Sequence, residues 1–240
     1  MVKHSVIYGQ NKIFFELERK NVKHINLRIR PDLSIVVSAH TGVPLDLIKD
    51  FVKDKGPWLH KNISYFTRFQ PQKGNEKEYV SGESFKYLGR QYRLKVQTSN
   101  EEQVKYFRGF IHLYVKNTGD FKRKEKLFKD WLLEKANIHF QDSLQRMYKL
   151  VSRYQIPKPK IKIREMKARW GSCHRQEQVI VLNLELIKAP KHCIDYVVLH
   201  ELIHFRYKDH SEGFYTSLTA LMPDWQLRKR ILDEEIIRDL

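Results

Sequence analysis

The chain has 240 residues, of which 41% are hydrophobic and 30% charged, and its formal net charge is +17. This length can bury one large core or two modest ones. No run of about 18 apolar residues predicts a transmembrane helix, and residues 1–9 lack the apolar core of a signal peptide. Two cysteines, Cys173 and Cys193, are too few for a disulfide framework. We therefore expect a cytoplasmic protein in a reducing compartment, without a membrane partner.

The positive charge is concentrated in one segment. Residues 119–175 contain 16 Lys and Arg against 6 Asp and Glu, whereas residues 176–240 contain 8 against 11. The basic segment is interpreted either as a solvated face or as a surface for polyanions such as a nucleotide or a nucleic acid. Charge runs by themselves do not choose between these two interpretations.

The N-terminal part has the composition of short strands followed by a helix. Runs rich in β-branched and aromatic residues predict a three-stranded β-meander, at residues 13–17, 25–29 and 34–37. Pro44 opens a helical pattern that reaches about residue 69, with an interruption at Gly56-Pro57. The polar stretch 70–78 is typical of a linker.

A second β-rich segment spans residues 79–115, and three glycines predict its hairpin turns, at Gly82, Gly89 and Gly109. We interpret its Tyr and Phe residues as core and cross-strand pairs rather than as platforms for base stacking. No internal repeat is visible in the sequence.

The C-terminal part alternates between helical and strand patterns. An apolar stripe predicts a long helix from residue 121 to about 154. Further elements are predicted as two strands and three helices, at residues 161–163, 179–182, from Pro190 onward, 211–222 and 224–238. The pattern predicts an α+β protein with a β-rich N-terminal region at 1–118 and a second domain at 119–240.

The helix that begins after Pro190 carries the run His200-Glu201-Leu202-Ile203-His204. Residues four apart lie on one face of a helix, so His200 and His204 can bind the same zinc ion. Glu201 is then placed to accept a proton from the water that the metal activates.

A catalytic zinc ion usually has three protein ligands and one open position. His210 is the best third ligand, because a chain that leaves the helix near Tyr207 can turn back toward the metal. Glu212 is the second choice and Asp209 the third.

Four segments carry a resemblance to a known family: 167–173 (KARWGSC), 182–187 (LNLELI), 194–204 (IDYVVLHELIH) and 210–215 (HSEGFY). The chain resembles the YgjP-type metal-dependent hydrolases, predicted zinc peptidases related to the WLM and SprT-like groups. The resemblance implies a β-rich N-terminal half and a zincin-like C-terminal half, with the HExxH helix packed on a small sheet. It also implies His200, His204 and His210 as zinc ligands and Glu201 as the general base.

Two further residues are candidates for substrate binding, each with a structural alternative. Arg169 either belongs to a turn or faces the cleft, where it would stabilise an oxyanion or bind a carboxylate or phosphate. Asn183 either serves a strand edge that docks an extended substrate, as is common in zincins, or holds a turn.

Three functions are compatible with these residues. The first is a zinc metallopeptidase acting on a peptide or protein. The second is a nucleotide pyrophosphohydrolase that uses the same metal site, with the basic segment holding the phosphates. The third is a nucleic-acid-associated protease. Three histidines suit zinc better than magnesium, which prefers carboxylates, and this favours the first.

Overall fold

The computed structural model describes residues 2–9, 11–29, 33–60, 63, 77–166 and 169–235. The chain is α+β, as predicted, and forms two compact units, Met1–Gln72 and Lys73–Leu240. The second unit thus begins well before residue 119, where the sequence placed the second domain. Residues 70–76 of the predicted linker lie outside the described part. Among the described helices, none combines the length and the apolar character needed to span a bilayer.

The first unit contains a four-stranded sheet and a helix, namely β1 (Val2–Tyr8), β2 (Asn11–Arg19), β3 (Asn26–Ile29), β4 (Ile35–Ala39) and α1 (Leu45–Asp54). The strand order is β1-β2-β4-β3, and β4 runs parallel to β2. The predicted meander is therefore wrong, because β4 lies between β2 and β3, and β1 was not predicted. All five residues of β4 are buried, which explains why this apolar strand takes a central place in the sheet.

The second unit opens with another four-stranded sheet, formed by β5 (Ser84–Tyr87), β6 (Arg90–Thr98), β7 (Gln103–Phe107) and β8 (Phe110–Val115). Its order is β5-β6-β8-β7, with the central pair parallel and the outer pairs antiparallel, as in the first sheet. The two sheets therefore repeat one topology that the sequence does not reveal. Gly89 and Gly109 have positive φ angles of 80° and 78° between paired strands, so these two predicted hairpin turns are confirmed.

Helix α2 (Phe121–Val151) follows this sheet and confirms the long helix predicted from residue 121. The core of the second unit joins side chains from the sheet, such as Phe85 and Leu94, to α2 side chains such as Phe128 and Trp131. Because this apolar surface is shared, the strands at 84–115 belong with the C-terminal half rather than with the first sheet.

The remaining elements build the part of the unit that holds the site. A three-stranded sheet has the order β10-β11-β9, from β9 (Lys160–Arg164), β10 (Gly171–His174) and β11 (Val179–Asn183). A short 3-10 turn at Leu184–Lys188 leads to three helices, α3 (Lys191–Ile203), α4 (Glu212–Leu221) and α5 (Trp225–Glu235). The three C-terminal helices were predicted, whereas β10 was not predicted as a strand.

The hairpin turn of the second sheet is attached to the segment that starts α3. The backbone N–H groups of Leu88 and Gly89 donate to the carbonyl oxygens of Ile187 and Lys188, at 3.0 and 2.8 Å. A Cβ atom at Gly89 would lie 2.6 Å from Cγ of Pro190, so only glycine permits this close approach. The position of α3 therefore depends on residues about 100 positions earlier in the chain.

Candidate metal centre

Most residues of helix α3 are buried, and the polar side chains at its C-terminal end line one cavity. Val198, Leu199 and Leu202 are completely buried in the core of the second unit. His200 and His204 lie four residues apart on the remaining face. The core packing of α3 therefore fixes the direction of both imidazole rings.

The structure brings His200, His204 and His210 together. Nε2 of His200 lies 3.2 Å from Nε2 of His204 and 2.9 Å from Nε2 of His210. One ring nitrogen from each histidine lies within 4.8 Å of the others. Among the described residues, this cluster of metal-binding side chains contains neither Glu212 nor Asp209, the two alternatives for the third ligand.

The protonation of these rings suits metal binding. Nδ1 of His204 lies 3.0 Å from the carbonyl oxygen of Tyr207, so Nδ1 donates a hydrogen bond and Nε2 is the nitrogen that can bind a metal ion. Burial, with the neighbouring His204 and His210, lowers the pKa of His200 to about 3. Burial and His204 also lower the pKa of His210. Neutral imidazoles are the form in which histidine binds a metal ion.

The distances between the nitrogens test whether a metal ion fits. Two nitrogens bound tetrahedrally to zinc at about 2.0–2.1 Å would lie about 3.3 Å from each other. The observed separations of 3.2 and 2.9 Å are close to this value. Lone pairs that face each other at such distances repel unless a proton or a cation lies between them. The three histidines therefore fit a divalent cation.

Phe214 forms the floor under the three imidazole rings. It is fully buried in α4, and its ring centroid lies 4.9, 4.7 and 4.8 Å from the centroids of His200, His204 and His210. In the sequence, Phe214 stands out only as part of segment 210–215, which carries the family resemblance. Its helical position facing α3 becomes visible only in the folded structure.

Glu201 is the buried carboxyl group of the site, with 6% of the residue exposed. Burial raises its pKa to about 7, against the opposing charge of Arg169. Gly171 of β10 makes room for this side chain, because a Cβ atom at residue 171 would lie 2.8 Å from both Cγ and Oε1 of Glu201. No pattern in the sequence indicates that Gly171 contacts the carboxyl group of Glu201.

An open cavity of about 1020 Å³ surrounds these groups. All four residues of β10 line it, together with the three histidines and Glu201. Three of its cations, Arg169, Arg175 and Lys208, form no ion pair with an acidic residue in the described part of the chain, whereas Lys229 pairs with Asp233 at 2.6 Å. The cavity wall is therefore partly positive.

The two predicted substrate-binding residues have different positions. Arg169 is exposed and lines the cavity. Asn183 is 1% exposed and does not line it. Its Nδ2 donates to the carbonyl oxygens of Met166 and Arg169 at 2.7 and 3.1 Å, and its Oδ1 accepts from the backbone of Met166 and Glu185. Asn183 thus holds the loop that presents Arg169, which is the turn role that the sequence left open.

Three imidazoles gathered around one point, next to a buried carboxyl group, are typical of a metal-dependent hydrolase. Comparison with known families gives the same class. Residues 23–235 match the YgjP-like family, described as a YgjP-like, metallopeptidase domain. Because this match covers most of the chain, the protein belongs to the YgjP-like family, and at the family level it is a metal-dependent peptidase. The resemblance found from the sequence motifs is confirmed.

Two other comparisons add little to this assignment. No curated protein matches the chain in sequence. One solved structure that is similar is the metallopeptidase zymogen abylysin of Pyrococcus abyssi, with 22% identity and a TM-score of 0.35. The similarity covers 39% of this chain and 91% of that chain. Such a similarity carries no functional argument.

Proposed function

We propose that the protein is a zinc metallopeptidase in which His200, His204 and His210 hold the ion and Glu201 acts as the general base. The observation that carries this proposal is the cluster of three Nε2 atoms, with separations of 3.2 and 2.9 Å on either side of His200. Three imidazole ligands suit zinc better than magnesium or calcium, which prefer oxygen. The membership in a metallopeptidase family supports hydrolysis of a peptide bond.

A zinc ion in this position would polarise the scissile carbonyl group and lower the pKa of a coordinated water molecule. The Glu201 carboxylate would accept the proton of the attacking water and return it to the leaving amine. Its raised pKa, about 7 without a cation, suits a group that both takes and gives a proton near neutral pH. Arg169 lines the same cavity and would stabilise the negative oxygen that develops.

Strand β10 supplies a place for an extended peptide. It pairs with β11 on one side, and no other described strand pairs with its second edge. Gly171 and its three neighbours in β10 all line the cavity beside Glu201. A peptide that adds to this edge would form main-chain hydrogen bonds and place its carbonyl group near the metal-binding nitrogens.

A nucleotide pyrophosphohydrolase is the second candidate function. The cations Arg169, Arg175 and Lys208 in the cavity wall favour a ligand with negative charge, and phosphate groups meet that requirement. Against it, the site offers three histidines rather than the carboxylates that usually hold Mg²⁺ for phosphoryl transfer.

One experiment separates these candidates. Metal content is measured in the purified protein, and the same zinc-loaded preparation is screened against a peptide mixture and against nucleoside triphosphates. The proposal expects about one zinc ion per chain and zinc-dependent cleavage of peptides, both retained in the control variant Glu212→Gln. Hydrolysis of nucleoside triphosphates without any peptide cleavage would replace the proposal with the second candidate.

A further inference from the structure

The second sheet has one face that is not covered by α2. Leu94, Ile111 and Leu113 point to α2 and are completely buried. The strand register places the alternate residues on the opposite side, and we call these residues the open face: Ser84, Lys86, Gln91, Arg93, Lys95, Gln97, Gln103, Lys105, Phe107, Phe110, His112 and Tyr114. None of them is fully buried.

The composition of the open face is unusual for a solvent-exposed sheet. It has four Lys or Arg residues, four aromatic rings if histidine is included, three Gln and one Ser, but no Asp or Glu. A solvated sheet face in a soluble protein normally mixes charges of both signs. The open face therefore combines positive charge, hydrogen-bonding amides and flat rings without any carboxylate to repel an anion.

Three aromatic rings of the open face form a row along β8, one of the two central strands. The sequence favoured core and cross-strand pairs for the Tyr and Phe residues of this segment, but Phe107, Phe110 and Tyr114 lie outside the core. The centroid of His112 lies 6.3 Å from that of Phe110 and 6.1 Å from that of Tyr114. The rings of His112 and Tyr114 are nearly parallel, with an angle of 12° between their planes. Phe107 of β7 lies beside the row, 6.4 Å from His112, and is 57% exposed. Adjacent aromatic rings on one exposed face form a patch, and such a patch is more typical of an interaction site than a single exposed ring.

The positive charges flank this row. The Lys95 ammonium group lies 3.8 Å from the ring centroid of Phe110, and Lys105 lies opposite His112 in the adjacent strand. No acidic residue in the described part of the chain forms an ion pair with Arg93, Lys95 or Lys105. By contrast, Arg123 at the start of α2 is bound by Glu102 at 2.6 Å. Arg93, Lys95 and Lys105 are thus left for an external anion.

We propose that the open face binds single-stranded nucleic acid, with bases stacked on the aromatic row and phosphates bound by Arg93, Lys95 and Lys105. Rings on the central strands of a four-stranded sheet, with cations beside them, are a common way to bind unpaired bases. A duplex hides its bases from such a face, and its phosphates would be held by charge alone. A peptide partner would not need the complete absence of acidic side chains. This site is separate from the metal centre and does not depend on the proposed peptidase activity.

The test uses the full-length protein and fluorescence anisotropy with labelled mixed-sequence 12-mers of RNA and of DNA, single-stranded and duplex. Phe107→Ala should lower the affinity for both single strands by about 5- to 100-fold, the loss expected for one stacked base. Lys95→Ala with Lys105→Ala should reduce the slope of log K against log salt by about 1.4, or roughly 0.7 for each lost phosphate contact. Equal losses with RNA and DNA would assign recognition to bases and phosphates rather than to the 2′-hydroxyl group.

Matched variants on α2 provide the controls. Phe121→Ala removes another exposed phenylalanine, which is 45% exposed, and Lys122→Ala with Lys126→Ala removes the same charge from the α2 surface. Both should leave binding within about twofold. Thermal melting checks that every variant is folded, and Phe107 is exposed enough for its substitution to be tolerated. The proposal is overturned if single strands do not bind at low salt, if Phe107→Ala binds normally, or if the α2 variants lose as much affinity.

Discussion

Gly171 and Glu201 are in such close contact that the glycine has no room for a side chain. A methyl group at residue 171 would lie 2.8 Å from Cγ and from Oε1 of Glu201, closer than unbonded atoms approach. The contact joins β10 to α3 and places the carboxyl group of Glu201 beside the strand edge. The position of the proposed general base is therefore determined by a residue 30 positions earlier in the chain.

The first prediction concerns Gly171→Ala. The new methyl group should displace the Glu201 carboxylate, and a displacement of about 1 Å lowers turnover by roughly 10²-fold. Metal content should stay unchanged, because the three atoms nearest to the new methyl group all belong to Glu201 and not to a histidine. Peptide turnover and metal content are measured together, with Gly119→Ala in an exposed turn as the control. Unchanged turnover in Gly171→Ala would show that the contact does not position the carboxylate.

The second prediction concerns Glu201→Gln, which keeps the size of the side chain but removes the base. Turnover should fall by about 10²–10⁴-fold, as for other losses of a general base. Metal content and thermal stability should be retained, because Glu201 does not contribute to the cluster of nitrogens. Loss of metal would make Glu201 a ligand, and undiminished turnover would place the chemistry elsewhere.

The third prediction concerns the third ligand. His210→Ala should weaken zinc binding by more than the roughly 10–100-fold that the loss of a ligand's hydrogen-bond partner costs. Competition with a chelator of known affinity measures this change. Glu212→Gln, two residues later, should leave the affinity unchanged. If the two variants behaved in the opposite way, the assignment of His210 and Glu212 would have to be exchanged.

The fourth prediction concerns Phe214, which contacts all three imidazoles. Phe214→Leu should reduce zinc affinity by roughly 10–100-fold, because residues that orient metal ligands have effects of this size. The free energy of unfolding of the metal-free protein should fall by only about 1–2 kcal/mol for the smaller side chain. Chelator competition and denaturant unfolding separate the two effects. Lower stability without a change in zinc affinity would show that Phe214 contributes to the core but does not orient the imidazoles.

The fifth prediction concerns Asn183, whose buried amide forms hydrogen bonds with the loop before β10. Asn183→Ala leaves several backbone groups without partners, so the free energy of unfolding should fall by about 2–4 kcal/mol. If Asn183 instead bound substrate, the variant would keep its stability and show a higher KM. Denaturant unfolding and peptide kinetics on the same preparation distinguish the two roles.

Much of the candidate metal centre could be predicted from the sequence because its candidate ligands are local. Helical spacing determines that His200 and His204 meet. His210 follows only six residues later, so the sequence could rank it first among the candidates for the third ligand. The contacts of Gly171 and Phe214 could not be predicted in this way, since they depend on how separate elements pack. The same reason explains the error in the first sheet, in which β4 pairs with β2 rather than only with its neighbour in sequence. Alternating apolar residues predict that a strand exists, but not which strand lies beside it.

The three histidines lie within eleven consecutive residues. An ion that joins them closes a loop of about ten residues, and closing so short a loop removes little entropy from the unfolded chain. The second unit already has a large core of hydrophobic side chains. We therefore expect the second unit to fold without the ion, so that a metal ion at the proposed site could exchange while the fold persists.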